Sequence, residues 1–303
     1  METLNKKVAV IGAGSVGSTI AYTLMVKNLP AEVILIDINL DKEKGEVLDI
    51  DDALSFSETS NVKTGTYKDA ENADIIILTA GVAQKPGETR LDLVTKNKAI
   101  ITSIFKEIGP IKSSAIIIVV SNPVDIITYL SQEISGLPKN QVLGTGTGLD
   151  TARLRSNLSK RFEVDSKQIN GFVLGEHGDS EFVAWSTVSV AGKPSKDLLS
   201  KEDMDKIADE VKNEVYEIIK DKGATFYGIA MVVTDMVEVI MYNQNEILPV
   251  SYRLDKCNGV DGVCLGFPAV VGAGGIVKPW ALELPDDEKA KLQNSADKIK
   301  QYL

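Results

Sequence analysis

The strongest constraint on this chain's fold is a six-residue turn, Gly12-Ala13-Gly14-Ser15-Val16-Gly17, between an apolar run ending at Ile11 and a helix-like stretch. Glycine serves such a turn in three ways: the reversal out of the strand, the approach of a pyrophosphate to bare backbone, and close packing of helix on strand. The phosphates would sit at the helix N-terminus, where N–H groups and the helix dipole favour anions. A glycine-rich turn can also be purely structural. Asp37 changes the odds, because it ends the second apolar run twenty positions after Gly17, where an acid can accept hydrogen bonds from an adenosine ribose. Standing alone, it would read as a solvated strand-end or N-cap acid. Together these residues predict dinucleotide binding through Gly12, Gly14, Ser15, Val16, Gly17 and Asp37. A carboxylate at position 37 would repel a 2′-phosphate, so the expected cofactor is NAD rather than NADP.

The surrounding pattern agrees. Residues 8–11, 33–36, 75–78 and 116–120 are near-continuous apolar runs, as in parallel strands buried on both faces. Helix-like stretches at 16–27, 41–55, 91–108 and 124–135 alternate with them, the rhythm of an α/β Rossmann fold with a doubly wound parallel sheet. A glycine-rich segment, 144–148, then changes the pattern. We place a domain boundary there, giving an NAD-binding domain over 1–145 and an α+β substrate or catalytic domain over 146–303. In the second domain, helical patterns at 150–161, 201–222 and 225–242 accompany strand runs at 169–174 and 183–190, further strands and a polar C-terminal helix.

Composition removes several classes of function. The 303 residues carry a net charge of -10 without a basic cluster, so nucleic acid and anionic membrane surfaces are not expected partners. No apolar stretch reaches the roughly 20 residues needed to cross a bilayer. The N-terminal residues run directly into a strand-like segment, so no signal peptide is expected and a cytoplasmic location is the default. Cys257 and Cys264 admit three readings: buried thiols, a hairpin disulfide, or part of a metal site. The first is preferred, since a cysteine pair without a nearby histidine is a poor zinc signature; no metal is expected.

His177 is the only histidine, within Gly175-Glu176-His177-Gly178-Asp179 just after an apolar run. Its unperturbed pKa suits proton exchange near neutrality, although a lone histidine is more often structural than catalytic. Asp150 and Arg153 lie three apart on a predicted helix and share a face. They form either an exposed intrahelical pair or two groups with separate tasks: Asp150 orienting an imidazole, Arg153 gripping a carboxylate bidentately. Gly81 opens a loop running to Arg90 at the carboxyl edge of the predicted sheet, where ligands of such folds bind. That loop is either a hinged cover or an ordinary solvent loop. Asn122, before Pro123 on the same edge, is either a turn residue or a donor to ligand.

In this order the turn 12–17, Asp37, the loop 84–90, Ser121-Asn122-Pro123, Asp150-Thr151-Ala152-Arg153, Gly175-Glu176-His177-Gly178-Asp179 and Lys222-Gly223-Ala224-Thr225 resemble the lactate/malate dehydrogenase family, nearest its bacterial lactate-type members. The resemblance implies hydride transfer between NADH and pyruvate, with His177, Asp150 and Arg90 as catalytic residues. Arg153, Asn122, Gln84 and Thr225 would bind substrate, and Gly81, Asn122 and Ile229 would join the cofactor site. Malate-type relatives place arginine where Gln84 stands. A dicarboxylate there would leave a desolvated charge unpaired, so pyruvate is preferred, unless Lys85 swings in to take the second carboxylate. A malate enzyme, or one for larger 2-hydroxy acids such as 2-hydroxyisocaproate, remains the alternative within the family. An inert NAD-binding regulator would not need His177, Asp150, Arg153 and Arg90 together, and a suitable Tyr-x-x-x-Lys pair of short-chain dehydrogenases is not found. The family's assemblies imply a homotetramer, or a dimer. Its allosteric members bind fructose 1,6-bisphosphate with an arginine like Arg155 and a histidine where Asn170 stands here, so weak or no activation is expected.

Overall fold

The computed structural model describes residues 6–57, 61–82 and 90–303. The first half runs β1 (Lys6–Ile11), α1 (Ser15–Val26), β2 (Ala31–Ile36), α2 (Leu40–Leu54), β3 (Asn61–Thr64), β4 (Ile75–Leu78), α3 (Arg90–Ile108), β5 (Ile116–Val119), α4 (Val124–Ile134) and β6 (Val142–Gly144). All six strands are parallel, in the order β3-β2-β1-β4-β5-β6. The chain therefore changes direction between β1 and β4, the crevice in which such sheets bind ligands.

The apolar runs form strands because both of their faces are covered. Alternate residues point to opposite sides: Val8, Val10, Val33 and Leu35 join Ile20 and Leu24 of α1 in one core, while Ala9, Ile11, Ile34 and Ile36 join Ile101, Ile104 and Ile108 of α3 in the other. Ile75 to Leu78 are each at most 1% exposed, and burial of a side chain of this size contributes about 1.5–3 kcal/mol.

The second half runs α5 (Gly148–Phe162), β7 (Ile169–Asn170), β8 (Val173–Leu174), β9 (Phe182–Val183), β10 (Ser189–Val190), β11 (Lys193–Pro194), α6 (Lys201–Lys222), α7 (Tyr227–Met241), β12 (Glu246–Arg253), β13 (Cys264–Gly272), β14 (Gly275–Pro279) and α8 (Asp286–Lys300). β12 pairs antiparallel with β6, Ser251 opposite Gly144, and β13 and β14 follow, so nine strands make one continuous sheet. The chain passes from the parallel to the antiparallel part without interrupting that sheet.

The two longer strands expected at 169–174 and 183–190 are each divided. Gly171, at φ +143°, breaks the first, and a side chain there would collide with Val188. A 3-10 turn at Trp185–Thr187 breaks the second. A smaller core of Leu154, Leu158, Ile169, Val188, Ile207 and Val211 joins these pieces to α5 and α6. Among the described residues no helix is long and apolar enough to cross a membrane, and both cysteines are free thiols.

Candidate active site

The turn after β1 is shaped by its neighbours. Gly12 adopts φ +110°, and a Cβ there would lie 2.6 Å from Thr79 Oγ1 and 2.9 Å from the Ala80 nitrogen, beyond the end of β4. At Gly17 a Cβ would lie 1.8 Å from the Gly12 carbonyl oxygen, so only glycine lets α1 approach this closely. Gly14 differs: its Cβ would meet nothing within 4 Å. This open space faces the start of α1, which has no side-chain cap and no acid in its first turn. The N–H groups and positive end of the helix are thus available to a pyrophosphate.

Asp37 accepts hydrogen bonds from the Ala13 N–H (2.6 Å) through Oδ2 and from the Asn39 N–H (2.8 Å) through Oδ1. Each carboxylate oxygen has a further lone pair for a ribose hydroxyl. The turn, the helix end and this acid fit NAD. Its position is set by Glu43, a buried residue of α2 that accepts from the Asp37 N–H (2.9 Å) and the Gly65 N–H (3.0 Å). We expect a KM for NADPH about 10–100-fold above that for NADH, because a 2′-phosphate would face the Asp37 charge. Steady-state kinetics with both nucleotides check this, and equal values would remove Asp37 from the ribose site.

His177 lies beyond the same edge of the sheet, in the loop after β8. That loop is pinned by paired backbone hydrogen bonds between Gly175 and Gly266 of β13 (3.0 and 2.8 Å). The His177 N–H donates to Asp125 Oδ2 at 2.9 Å, and Asp125 Oδ1 accepts from Ser251 Oγ at 2.5 Å. One buried carboxylate on α4 thus ties the histidine backbone to β12. The imidazole Nδ1 meets Asp150 Oδ2 at 2.7 Å, and Arg153 Nη1 donates to Asp150 Oδ1 at 2.9 Å. Asp150 and Arg153 are not an exposed pair, being 1% and 7% exposed. They are rigid because α5 is anchored to β8: Thr147 Oγ1 donates to the Val173 carbonyl (2.6 Å), and Thr151 Oγ1 accepts from the Val173 N–H (3.0 Å).

The electrostatics follow from burial and contact. The Asp150 carboxylate raises the His177 imidazole to about 9, against burial, which favours the neutral ring. Burial works to raise Asp150, but the charge and hydrogen bond of His177 and the Arg153 guanidinium hold it below the ordinary carboxylate range. With Asp150 ionised, Nδ1 carries a proton toward it, and Nε2 is the nitrogen left for chemistry. Burial pushes Asp125 up to about 6, opposed by the hydrogen bonds from Ser251 and the His177 backbone.

The carboxylates flanking His177 in sequence are not the ones that face its ring. Glu176 accepts from the Ser180 hydroxyl, while the exposed Asp179 carboxylate accepts from the Tyr216 hydroxyl at 3.4 Å. A residue without a sequence signal does face it: Glu181, whose Oε2 is 3.9 Å from Nδ1. Arg153 has a second acid nearby, Glu214 of α6, with 3.8 Å between Nε and Oε1.

The remaining sequence candidates are placed less tightly. Asn122 is exposed beyond β5; its carbonyl accepts from Asn97 Nδ2 at 2.7 Å. Asn97, buried on α3 and absent from the sequence reading, also accepts from the Val82 N–H at 2.9 Å, joining the strand ends that carry Gly81 and Asn122. Gly81 is exposed at the end of β4. Thr225 lies half-buried between α6 and α7, and Ile229 half-buried in the first turn of α7. Among the described residues no hydrogen bond joins Thr225 to the His177 group. Arg90 begins α3, and Gln84 lies outside the described residues. Arg155 lines a separate cavity of about 450 Å³, and among the described residues its buried Nε has no hydrogen-bond partner, while Asn170 is exposed on β7.

A doubly wound sheet prepared for a dinucleotide, with a carboxylate-supported imidazole at its carboxyl edge, has the parts of an NAD-dependent oxidoreductase. Comparison with known proteins narrows the class. Residues 6–144 match the model of the lactate/malate dehydrogenase NAD-binding domain, and residues 147–303 match that of the family's α/β C-terminal domain. The chain belongs to the lactate/malate dehydrogenase family. It is 42% identical to an L-lactate dehydrogenase of Clostridium botulinum over 98% of this chain and 96% of that one. It is 44% identical to L-lactate dehydrogenase 1 of Clostridium acetobutylicum over 99% and 98%. A solved minor L-lactate dehydrogenase from Enterococcus mundtii, in a ligand-bound form, superposes with a TM-score of 0.95 at 42% identity, covering 99% of this chain and 98% of that one.

Proposed function

We propose that this chain is an NAD-dependent L-lactate dehydrogenase, with an NAD-binding domain up to about residue 145 and a catalytic or substrate domain beyond it. The observation that carries the reading is the chain of contacts His177–Asp150–Arg153, at 2.7 and 2.9 Å, with Asp150 and Arg153 buried and His177 half-buried. Bound NADH supplies the hydride that reduces the substrate carbonyl carbon. Protonated His177 gives the proton on Nε2 to the carbonyl oxygen, and Asp150 keeps the ring oriented and charged while it does so. Arg153 holds the substrate carboxylate through its remaining donors. Arg90 polarises the carbonyl, and Asn122 adds a hydrogen bond. Thr225 and Ile229 line the pocket, the latter beside the nicotinamide together with Gly81. In the reverse direction neutral His177 accepts the hydroxyl proton of lactate.

Gln84 sets the choice of acid, because a neutral amide leaves the second carboxylate of oxaloacetate unpaired. The reading extends to a cytoplasmic homotetramer, or a dimer, with weak or no activation by fructose 1,6-bisphosphate, since Asn170 stands where the family's allosteric members carry a histidine. NADH oxidation measured with pyruvate, oxaloacetate and 2-oxoisocaproate tests it. We expect kcat/KM for pyruvate to exceed that for oxaloacetate by about 100-fold or more, and the pyruvate KM to stay within about two-fold when the bisphosphate is added. Faster turnover of oxaloacetate at equal low concentration would sink the lactate assignment.

A further inference from the structure

Glu181 is a half-buried residue whose largely covered carboxyl group the proposed chemistry leaves unused. Its side chain is 7% exposed, with Oε2 3.9 Å from the imidazole Nδ1 of His177 and a hydrogen bond from the Gly178 backbone to its carboxylate. One oxygen of Glu181, one of Asp150 and a ring nitrogen of His177 all lie within 4.8 Å of one another. The position is built by a tight turn, with the Glu181 N–H donating to the Gly178 carbonyl at 3.1 Å. We propose that Glu181 is a positioning residue that sets the charge state of His177, acting on the imidazole through space as a second carboxyl group beside Asp150. The proposal rests on His177 being the proton donor, and it adds a device that regulates when the donor is charged.

Neighbouring charges in a poorly solvated place decide which of these groups ionises. Two carboxylates this close resist ionising together, so one of them keeps its proton. Asp150 has the direct contacts to His177 and Arg153 that favour its charged form; Glu181 does not. Burial and the Asp150 charge therefore push Glu181 up to about 8, opposed by the charges of His177 and Arg153 and by a hydrogen bond from the Gly178 backbone. Other charged groups near it come from α6, with Asp205, Asp209 and Lys212, and from α8, with Lys291, across a cavity of about 190 Å³. Of these, Lys212 Nζ is committed to the Asp179 carbonyl at 2.6 Å. Asp125 adds a weaker pull on His177 from α4. As pH rises past about 8, Glu181 becomes anionic just where His177 would begin to lose its proton, and the imidazolium is retained to higher pH.

Because His177 is the only histidine, its ring can be followed without assignment by NMR of the full-length protein. Titrating wild type and Glu181→Gln should show the histidine pKa lower in the variant by about one unit, with the alkaline limb of pyruvate reduction moving down equally. Glu181→Asp, which restores the charge, should recover part of the shift. A histidine pKa in Glu181→Gln within about 0.3 unit of wild type would overturn the proposal. Should that variant fail to fold, the wild-type ring itself decides: a second inflection near pH 8 supports the coupling, and a single-step curve rejects it. The NMR readout is independent of turnover, so it separates failure of this inference from failure of His177 as proton donor, which the activity of His177→Asn reports.

Discussion

Replacing His177 by asparagine should lower kcat/KM for pyruvate by about 10³-fold or more, while NADH binding, followed by quenching of its fluorescence, stays within about two-fold. Asparagine preserves much of the ring's size and can still hydrogen-bond to Asp150, but it has no proton to give at neutral pH. The separation of effects follows from the architecture, since the proposed cofactor site, the turn at Gly12 to Gly17 with Asp37, lies on other elements. The pH profile carries the sign. Asp150 raises the folded-state pKa of His177 to about 9, so kcat/KM for pyruvate should be level below that value and fall as pH rises through it. Lactate oxidation needs the neutral ring and should fall as pH drops through the same value, a limb that the variant should lack. Retention of more than about a tenth of wild-type kcat/KM would exclude His177 as the proton donor.

Arg153→Lys should reduce kcat/KM for pyruvate by about 10²–10³-fold, chiefly through KM, although the charge is kept. A lysine offers one strongly hydrated ammonium in place of a planar fork. In the structure one end of that fork is already committed to Asp150 at 2.9 Å, so a single ammonium cannot serve Asp150 and a substrate carboxylate with the same geometry. Arg153→Ala should in addition destabilise the fold by about 3 kcal/mol, because it removes a partner from a buried ion pair. Denaturant titration measures the second effect and initial rates the first. A lysine variant with KM within about three-fold of wild type would show that the substrate carboxylate is bound elsewhere.

How much could be read from the chain alone depended on how local each signal was. The glycine turn and Asp37 are short-range features, and so were the apolar runs of β1, β2, β4 and β5. β6 has only three residues and β8 and β9 two each, too short to leave a periodic pattern. β6 is a strand because β5 and β12, distant in sequence, pair with it, whereas β8 and β9 pair with each other across the His177 loop. The support of the site is non-local in the same way: Asp125 reaches a residue 52 positions away and Asn97 one 25 away. Nothing near Asp125 marks it as the acceptor for a histidine backbone. Glu181 was closer to detection, lying four residues after the only histidine. Without knowledge of the turn at Gly178, though, its side chain could equally have faced solvent, as Asp179 does.

The anchoring of α5 by Thr147 and Thr151 has a consequence for selectivity. In the proposed mechanism Asp150 orients the proton donor and Arg153 grips the anion, and one turn of one anchored helix carries both. The separation between those two tasks is therefore a fixed length, and the site acts as a gauge. It admits an acid whose carbonyl and carboxylate are joined by a single carbon–carbon bond. A 3-oxo acid places its carbonyl one methylene too far along and falls outside the gauge, however well the rest of its chain fits the pocket.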